Sequence, residues 1–308
     1  MPLQDETLGI GDLARMTGVP VRTVRFYCDE GIVETTRSSG GHRRFDRAEV
    51  ERLALVRRLR GLGLGLPSIR QVLAGERSVA EAVSAERAAL DVQLAGLAWR
   101  RASLRAVEEA SPGERAARLE LLAAAQDGGA ARDALTDFWR RAMVAPVPEA
   151  MFADFVHLIV PEPPADPSPR QVVAYAELFA LAQDRELIRL LHAMARANAE
   201  LVADTAGLLH GIGEACTLAR PLVQAGEPPA AGPVLDRFVA VHAAARNATD
   251  TPAFRHDLLT HVASDRDPRM RRYWRLTAEA AADPASPAAS HLWLTDALAR
   301  SQESACAG

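Results

Sequence analysis

Every basic side chain in the 308-residue sequence is an arginine: there are 36, and no lysine. Each cationic contact is therefore a planar fork that can meet a phosphate or carboxylate with two hydrogen bonds at once. The forks are unevenly spread. Residues 37–60 carry eight arginines against three acids, and Arg22 and Arg25 stand three apart, on one face if the segment is helical. His42, Arg43 and Arg44 follow the turn-forming run Ser38-Ser39-Gly40-Gly41. The formal net charge is -4, yet residues 1–75 hold 12 arginines against 9 acids and the remainder 24 against 31. A basic N-terminal segment on an acidic body points to an anionic partner for that segment alone. The plain alternative is a set of solvated helix faces.

Other chemistries are poorly supplied. The sequence contains no G-x-S-x-G elbow, no P-loop and no H-E-x-x-H segment, so no enzyme is expected. Cys28, Cys216 and Cys306 are too few and too scattered for a disulfide framework or a zinc module, and no metal or cofactor is expected. Cys216 reads as a small core residue of an Ala/Leu-rich helix, and Cys306 lies in a frayed tail. His256 and His261 are five apart, not four, and read as two surface histidines. Asp265 and Asp267, flanking Arg266, read as a turn or capping cluster. Gly61–Gly65 alternates Gly and Leu but follows a helical pattern, so it is no dinucleotide fingerprint. No apolar run approaches the roughly 20 residues of a membrane span. Met1–Glu6 is acidic and lacks the order of a signal peptide, so a cytoplasmic location is expected.

The elements that must carry the arginines follow from periodicity and breakers. Ile10, Leu13 and Ala14 predict a short helix over 8–16. Gly18 suits its left-handed end, and Pro20 the first turn of a second helix from Val21 to Glu30. Two short helices around a tight Gly turn make a helix-turn-helix, although any helical hairpin shares the pattern. Thr35–Arg37 and His42–Phe45 predict a β-hairpin. Asp46 is placed to cap a helix to Arg60, with Val50, Leu53, Val56 and Leu59 on one stripe. A fourth short helix runs from Pro67 to Leu73.

This order, together with Ile10–Ala14, Thr17–Val19, Val21–Tyr27, Gly31–Val33, Gly41–Phe45 and Arg58–Gly63, resembles the MerR family of transcription regulators over residues 8–76. The resemblance implies a winged helix-turn-helix whose second helix is the recognition helix. Arg22, Thr23 and Arg25 would then lie near base edges or phosphates, with Tyr27 on the DNA backbone. Val24 and Phe26 would pack inward. His42, Arg43 and Arg44 would reach flanking phosphates from the hairpin, and Arg57 or Arg58 would serve the second loop, Gly61–Gly65. Phe26 departs from the tyrosine that many members carry, which removes one hydroxyl donor. The resemblance further implies a homodimer on a promoter inverted repeat whose spacer is too long for RNA polymerase, with activation by bending and untwisting that DNA.

Val79–Glu109 reads as one long helix. Val83, Leu90, Leu97 and Leu104 fall seven apart, a coiled-coil seam, and the family's dimerisation helix occupies this place (77–110). Arg87 and Arg101 interrupt the companion row, so an amphipathic helix packed on its own domain is the alternative. Residues 77–113 contain neither Cys nor His, which leaves a soft-metal sensor without ligands.

From 114 to 308 the chain is Ala- and Leu-rich, broken by Gly and Pro, and predicts seven to nine helices with no strand. Glu162–Pro169 reads as an extended connection. Asp267–Trp274 resembles the helical effector domains of drug-sensing members. The aromatics Trp139, Phe152, Phe155, Tyr175, Phe179, Tyr273 and Trp274 are candidates to line a pocket for a small hydrophobic effector; filling the core is the competing role. The overall expectation is a mostly α protein and a DNA-binding regulator. A structural or protein-partner-controlled DNA binder without a small ligand is the second reading.

Overall fold

The computed structural model describes residues 7–143, 147–263 and 267–306. Pro146, and Asp265 and Arg266 of the expected turn cluster, lie outside them. Among the described residues the protein is mostly α, with fifteen helices and one three-stranded antiparallel sheet. It divides into two compact units, 1–93 and 94–308.

The first unit contains β1 (Leu8–Gly9), α1 (Ile10–Thr17), α2 (Val21–Asp29), β2 (Thr36–Arg37), β3 (Arg43–Phe45), α3 (Arg47–Gly61) and α4 (Leu66–Leu73). Gly18 ends α1 with φ 67 and returns its N–H to the Ala14 carbonyl, a conformation that a side chain would strain. The Asp46 carboxylate accepts from the Glu49 N–H at 3.0 Å and starts α3. Leu53, Val56 and Leu59 of the expected stripe are buried, with Val50 partly so; they meet Leu13, Val24, Ile32 and Phe45 in one core. The predicted hairpin is the β2–β3 pair, with Thr36 opposite Arg44. Residues 8–9, expected to begin the first helix, instead form a third strand that sets Leu8 opposite Phe45. A two-residue strand is too short to carry a period-2 signal.

Helix α5 runs Val79–Glu108 and stops before the Ser111-Pro112-Gly113 breaker. In the second unit, ten helices follow: α6 (Arg115–Ala124), α7 (Gly128–Ala142), α8 (Glu149–Ile159), α9 (Pro169–Ala182), α10 (Arg185–Leu201), α11 (Thr205–Gln224), α12 (Pro233–Ala244), α13 (Pro252–His261), α14 (Pro268–Ala281) and α15 (Pro287–Cys306). The expected number was seven to nine. The excess comes from breaks before α10 and α11 that carry no Gly or Pro. There Asp184 accepts from the Glu186 N–H and Asp204 from the Gly207 N–H, both at 2.8 Å, so an aspartate starts each helix by itself. Residues 160–168 form the expected irregular connection.

Two cores organise this unit. One joins α7, α9, α14 and the end of α5 around Trp99, Phe138, Tyr175 and Tyr273. The other joins α11, α12, α13 and α15 around Phe238, Leu258, Leu294 and Leu298. At Gly211 a Cβ would stand 2.5 Å from Val241 Cγ1, so the α11–α12 approach depends on glycine there.

Candidate functional site

Helix α2 buries Val24 and Tyr27 and exposes Arg22, Arg25 and Phe26; Thr23 is half-buried. The expectation that Phe26 packs inward and Tyr27 faces out is therefore reversed: Phe26 is 47% exposed and Tyr27 8%. The phase of the helix is the reason. Residues 24 and 27 share a face, whereas 26 lies about 200° round from 24. The outward surface is Arg22, Arg25 and Phe26, two forks beside an aromatic ring, and no ion pair among the described residues engages either fork. The exposed Phe26 is the residue that sequence reasoning missed, although its i, i+4 relation to Arg22 was legible.

The hairpin turn is closed by Ser38 and Gly41: the Ser38 N–H donates to His42 O at 2.9 Å and the Gly41 N–H to Ser38 O at 2.8 Å. His42 is exposed at this tip, and Arg43 and Arg44 are half-buried on β3. Arg43 is held by Asp29 at 2.6 Å, so part of its charge is answered within the protein. On α3 the arginines divide by task. Arg52 Nε donates to Ile32 O at 2.8 Å, Arg57 to Thr17 O at 2.8 Å and Arg60 to Leu64 O at 2.7 Å. These three brace the loops that set α1 and the second loop in place. Arg58 is exposed and has no such bond among the described residues, as a phosphate contact requires. Glu49, buried beneath this surface, accepts from the Glu34 N–H at 3.0 Å, and desolvation raises its carboxyl above the ordinary range. Burial likewise pushes the Cys28 thiol up, away from thiolate chemistry.

On α5, the four seam residues separate. Val83 packs partly against the first unit's own core. Leu90, Leu97 and Leu104 are 47%, 63% and 64% exposed, and Leu94 joins them at 63%. The other face of the same helix buries Trp99, Ala102 and Ala106. The indole N–H of Trp99 donates to Ala125 O at 3.1 Å.

The second unit holds a cavity of about 870 Å³ between its two cores, with walls from α7, α8 and α10–α15. Of the seven predicted aromatics, Trp139, Phe155 and Trp274 line it. Phe152, Tyr175, Phe179 and Tyr273 do not. Tyr175 and Tyr273 are wholly buried core residues, and burial raises both phenols. Tyr175 donates to Pro161 O. Tyr273 accepts from Trp139 Nε1 at 2.6 Å and donates to Ile159 O at 3.2 Å. Phe152 is buried beneath the Arg140 guanidinium, 4.1 Å from its ring centroid, and Phe179 packs against the core. Hydrophobic spacing on a helix marks a buried face but does not tell core from cavity wall, which belong to the same face.

The wall also contains Met194, Asn198, His242 and Arg246, which the sequence did not single out, together with His261. His261 is thus half-buried at the cavity rather than an ordinary surface histidine; His256 is exposed as expected. Cys216 is buried, as a small core residue should be, and also touches the cavity. No group of three or more His, Cys, Asp or Glu able to hold a metal occurs among the described residues. No helix among them is long and apolar enough to cross a membrane.

A small three-stranded sheet with a wing, a helix pair with an outward arginine face, and a long helix with exposed leucines define a winged helix-turn-helix module of the DNA-binding class. Comparison with known proteins places it further. The family model described as MerR HTH family regulatory protein matches residues 8–76, and the model described as MerR, DNA binding matches 50–110. The two matches together cover residues 8–110 of this chain, which are thus similar to the MerR helix-turn-helix family, and neither match extends past residue 110. The chain is similar to the nodulation protein NolA of Bradyrhizobium sp. (strain NC92), 38% identical over 87 residues, which cover 28% of this chain and 37% of that protein. It is similar to the HTH-type transcriptional regulator HmrR of Rhizobium leguminosarum bv. viciae, 34% identical over 67 residues, 22% of this chain and 52% of that one. It is also similar to the HTH-type transcriptional regulator ZntR of Escherichia coli (strain K12), 38% identical over 65 residues, 21% and 46% of the two chains. The matched part therefore spans about half or less of these relatives. No solved structure matches the chain.

Proposed function

We propose that the protein is a homodimeric transcriptional regulator that binds a promoter inverted repeat through two winged modules, distorts it, and is controlled by a small apolar molecule in the second unit. The observation that carries the DNA half is the outward face of α2, where Arg22, Arg25 and Phe26 stand exposed. A major groove about 12 Å wide admits one such helix, and an apolar ring beside two forks suits a thymine methyl next to guanine edges. Arg44 and Arg58 supply phosphate contacts, which position the helix without reading sequence. The exposed leucines of α5 support the dimer, since an apolar stripe at heptad spacing needs a partner helix. RNA polymerase at the same promoter is the partner through which the distortion acts. Bending and untwisting the site costs on the order of 1–6 kcal/mol, and the ligand supplies this only by binding the distorting state more tightly. The cavity, with Trp139, Phe155 and Trp274 on its wall, is large enough for a drug-sized body.

The test is a selection of bound sequences from random duplexes, followed by titration across salt. An inverted repeat is expected. Arg25→Ala should change the preferred bases. Arg44→Ala and Arg58→Ala should keep them and flatten the slope of log K against log salt by about 1 each. A selection that returns no two-fold symmetric sequence would sink the proposal.

A further inference from the structure

Arginines of the second unit are mostly answered by carboxylates, and Arg246 is an exception. It sits half-buried on the cavity wall just beyond α12. Its bonds go to His242 Nδ1 at 3.0 Å, His242 O at 3.2 Å and Asn198 Oδ1 at 3.2 Å. No aspartate or glutamate pairs with it among the described residues, and its Nε–H is buried without a partner. Leaving a guanidinium desolvated and uncompensated is costly, and burial accordingly weakens its hold on the proton.

The neighbouring groups share the same character. His242 is 4% exposed. Because Arg246 donates to Nδ1, the neutral ring must carry its proton on Nε2, and that atom is buried with no acceptor. Desolvation, with Arg246 beside it, holds the pKa of this imidazole down to about 3, so the ring is neutral. Trp274, 6% exposed, has an indole N–H that finds no acceptor, although the equivalent group of Trp139 is bonded to Tyr273. His261 Nδ1 is a further buried atom without a partner. Rings connect the sites: Trp274 to His291 at 5.3 Å, His291 to Phe238 at 6.2 Å and Phe238 to His242 at 4.6 Å. The wall thus holds one positive charge without a carboxylate, beside several enclosed donors that have no partner, in a mostly apolar cavity. The acidic residues on its lining, Asp154 and Glu214, are exposed, and Glu214 is already paired with Arg237 at 2.6 Å.

We infer that the cavity takes an apolar molecule bearing a carboxylate, with Arg246 holding the acid group. This rests on the effector reading above and sharpens it from any apolar ligand to an apolar acid. A carboxylate accepts only, and offers about four lone-pair sites. It answers the charge and accepts from the guanidinium fork at once, which a neutral or cationic head group does not.

Calorimetric titration of the full-length protein with two series of probes tests this. The first is dodecanoate, dodecan-1-ol and dodecyltrimethylammonium; the second is anthracene-9-carboxylate and 9-anthracenemethanol. The carboxylate of each series should bind about tenfold more tightly than its alcohol, the size of one charge-assisted contact. Arg246→Met should erase that preference and leave the alcohols unchanged. Should that variant fail to fold, Arg246→Lys keeps the charge without the fork and should weaken the preference, and the wild-type ranking decides in either case. Equal binding of acid and alcohol, or tighter binding of the ammonium, overturns the acid and leaves the apolar-effector reading standing. Failure of all five probes to bind overturns both.

Discussion

The two units use the same side chain in opposite ways. In the first, four of its fourteen arginines form ion pairs with carboxylates. In the second, twelve of the twenty-one described arginines do. A guanidinium answered inside the protein ties elements together. One left unanswered at the surface keeps its field for an external anion. The first unit spends Arg52, Arg57 and Arg60 on backbone carbonyls and leaves Arg22, Arg25 and Arg58 to solvent. The second leaves Arg246 without a carboxylate at its cavity. Under the two proposals above, unanswered arginine meets the same kind of partner in both units, phosphate in one and carboxylate in the other. All four tryptophans, Trp99, Trp139, Trp274 and Trp293, lie in the second unit, so tryptophan fluorescence reports on that unit alone.

The largest expected effect breaks the pairing of two winged modules. Replacing Leu94 and Leu97 together by Asp puts charge on the exposed stripe of α5. Sedimentation should then show monomers, and operator affinity should fall by about 10²–10⁴, the gain that linked half-sites provide. A variant that remains dimeric at micromolar concentration would move the assembly contact elsewhere. Next come substitutions that separate the units by their readouts. Leu53→Ala empties a fully buried position of the first core and should cost about 2–5 kcal/mol. DNA binding should be lost at lower denaturant while tryptophan fluorescence is retained. Tyr273→Phe removes the acceptor of the Trp139 N–H and should cost about 1–3 kcal/mol, seen in fluorescence and not in the DNA-binding unit. Movement of both signals together in either variant would show the units to unfold as one.

The smallest effect is the pH dependence that His242 gives the second unit. His242 has a pKa of about 3 in the folded protein, below its unfolded value of about 6.5. The unfolded chain therefore takes up the proton first, and stability falls as pH drops from about 6.5 towards 3. Arg246, His261 and His291 act on the ring in the same direction. Between pH 7 and 5.5 the loss should be about 1 kcal/mol, followed by fluorescence-detected denaturation. His242→Gln should flatten the curve over this window. An unchanged slope would mean that another group titrates.

Much of the first unit was legible because its signals are local. Gly18, Asp46 and the Leu53–Val56–Leu59 stripe each fix a conformation within a few residues. The errors there came from one strand too short to show a period and from the phase of α2, which a helical wheel would have set correctly for Phe26 and Tyr27. In the second unit the helices were legible in kind, but Asp184 and Asp204 start new helices without Gly or Pro, so the count was low. The site was less legible still. Trp139, Phe155 and Trp274 reached the cavity wall, whereas Tyr175, Tyr273 and Phe152 went to the core. His242, Arg246 and His261 carried no motif.

The sequence by itself determined the order of elements, the capped helix ends, the face each helix buries and the uneven placement of arginine. These depend on neighbours within about one helical turn, where residue type and spacing act directly. Tertiary structure alone decided which buried aromatics meet protein and which meet a cavity. It also decided which arginines find a carboxylate, because those partners come from as far apart as Arg170 and Glu279, or Arg272 and Glu177. A lone histidine such as His242, with Phe238 and Arg246 each four residues away, becomes a buried, neutral donor only when the elements that carry His261 and His291 are folded against it. Desolvation is a property of the assembled surroundings, and no spacing in the chain encodes it.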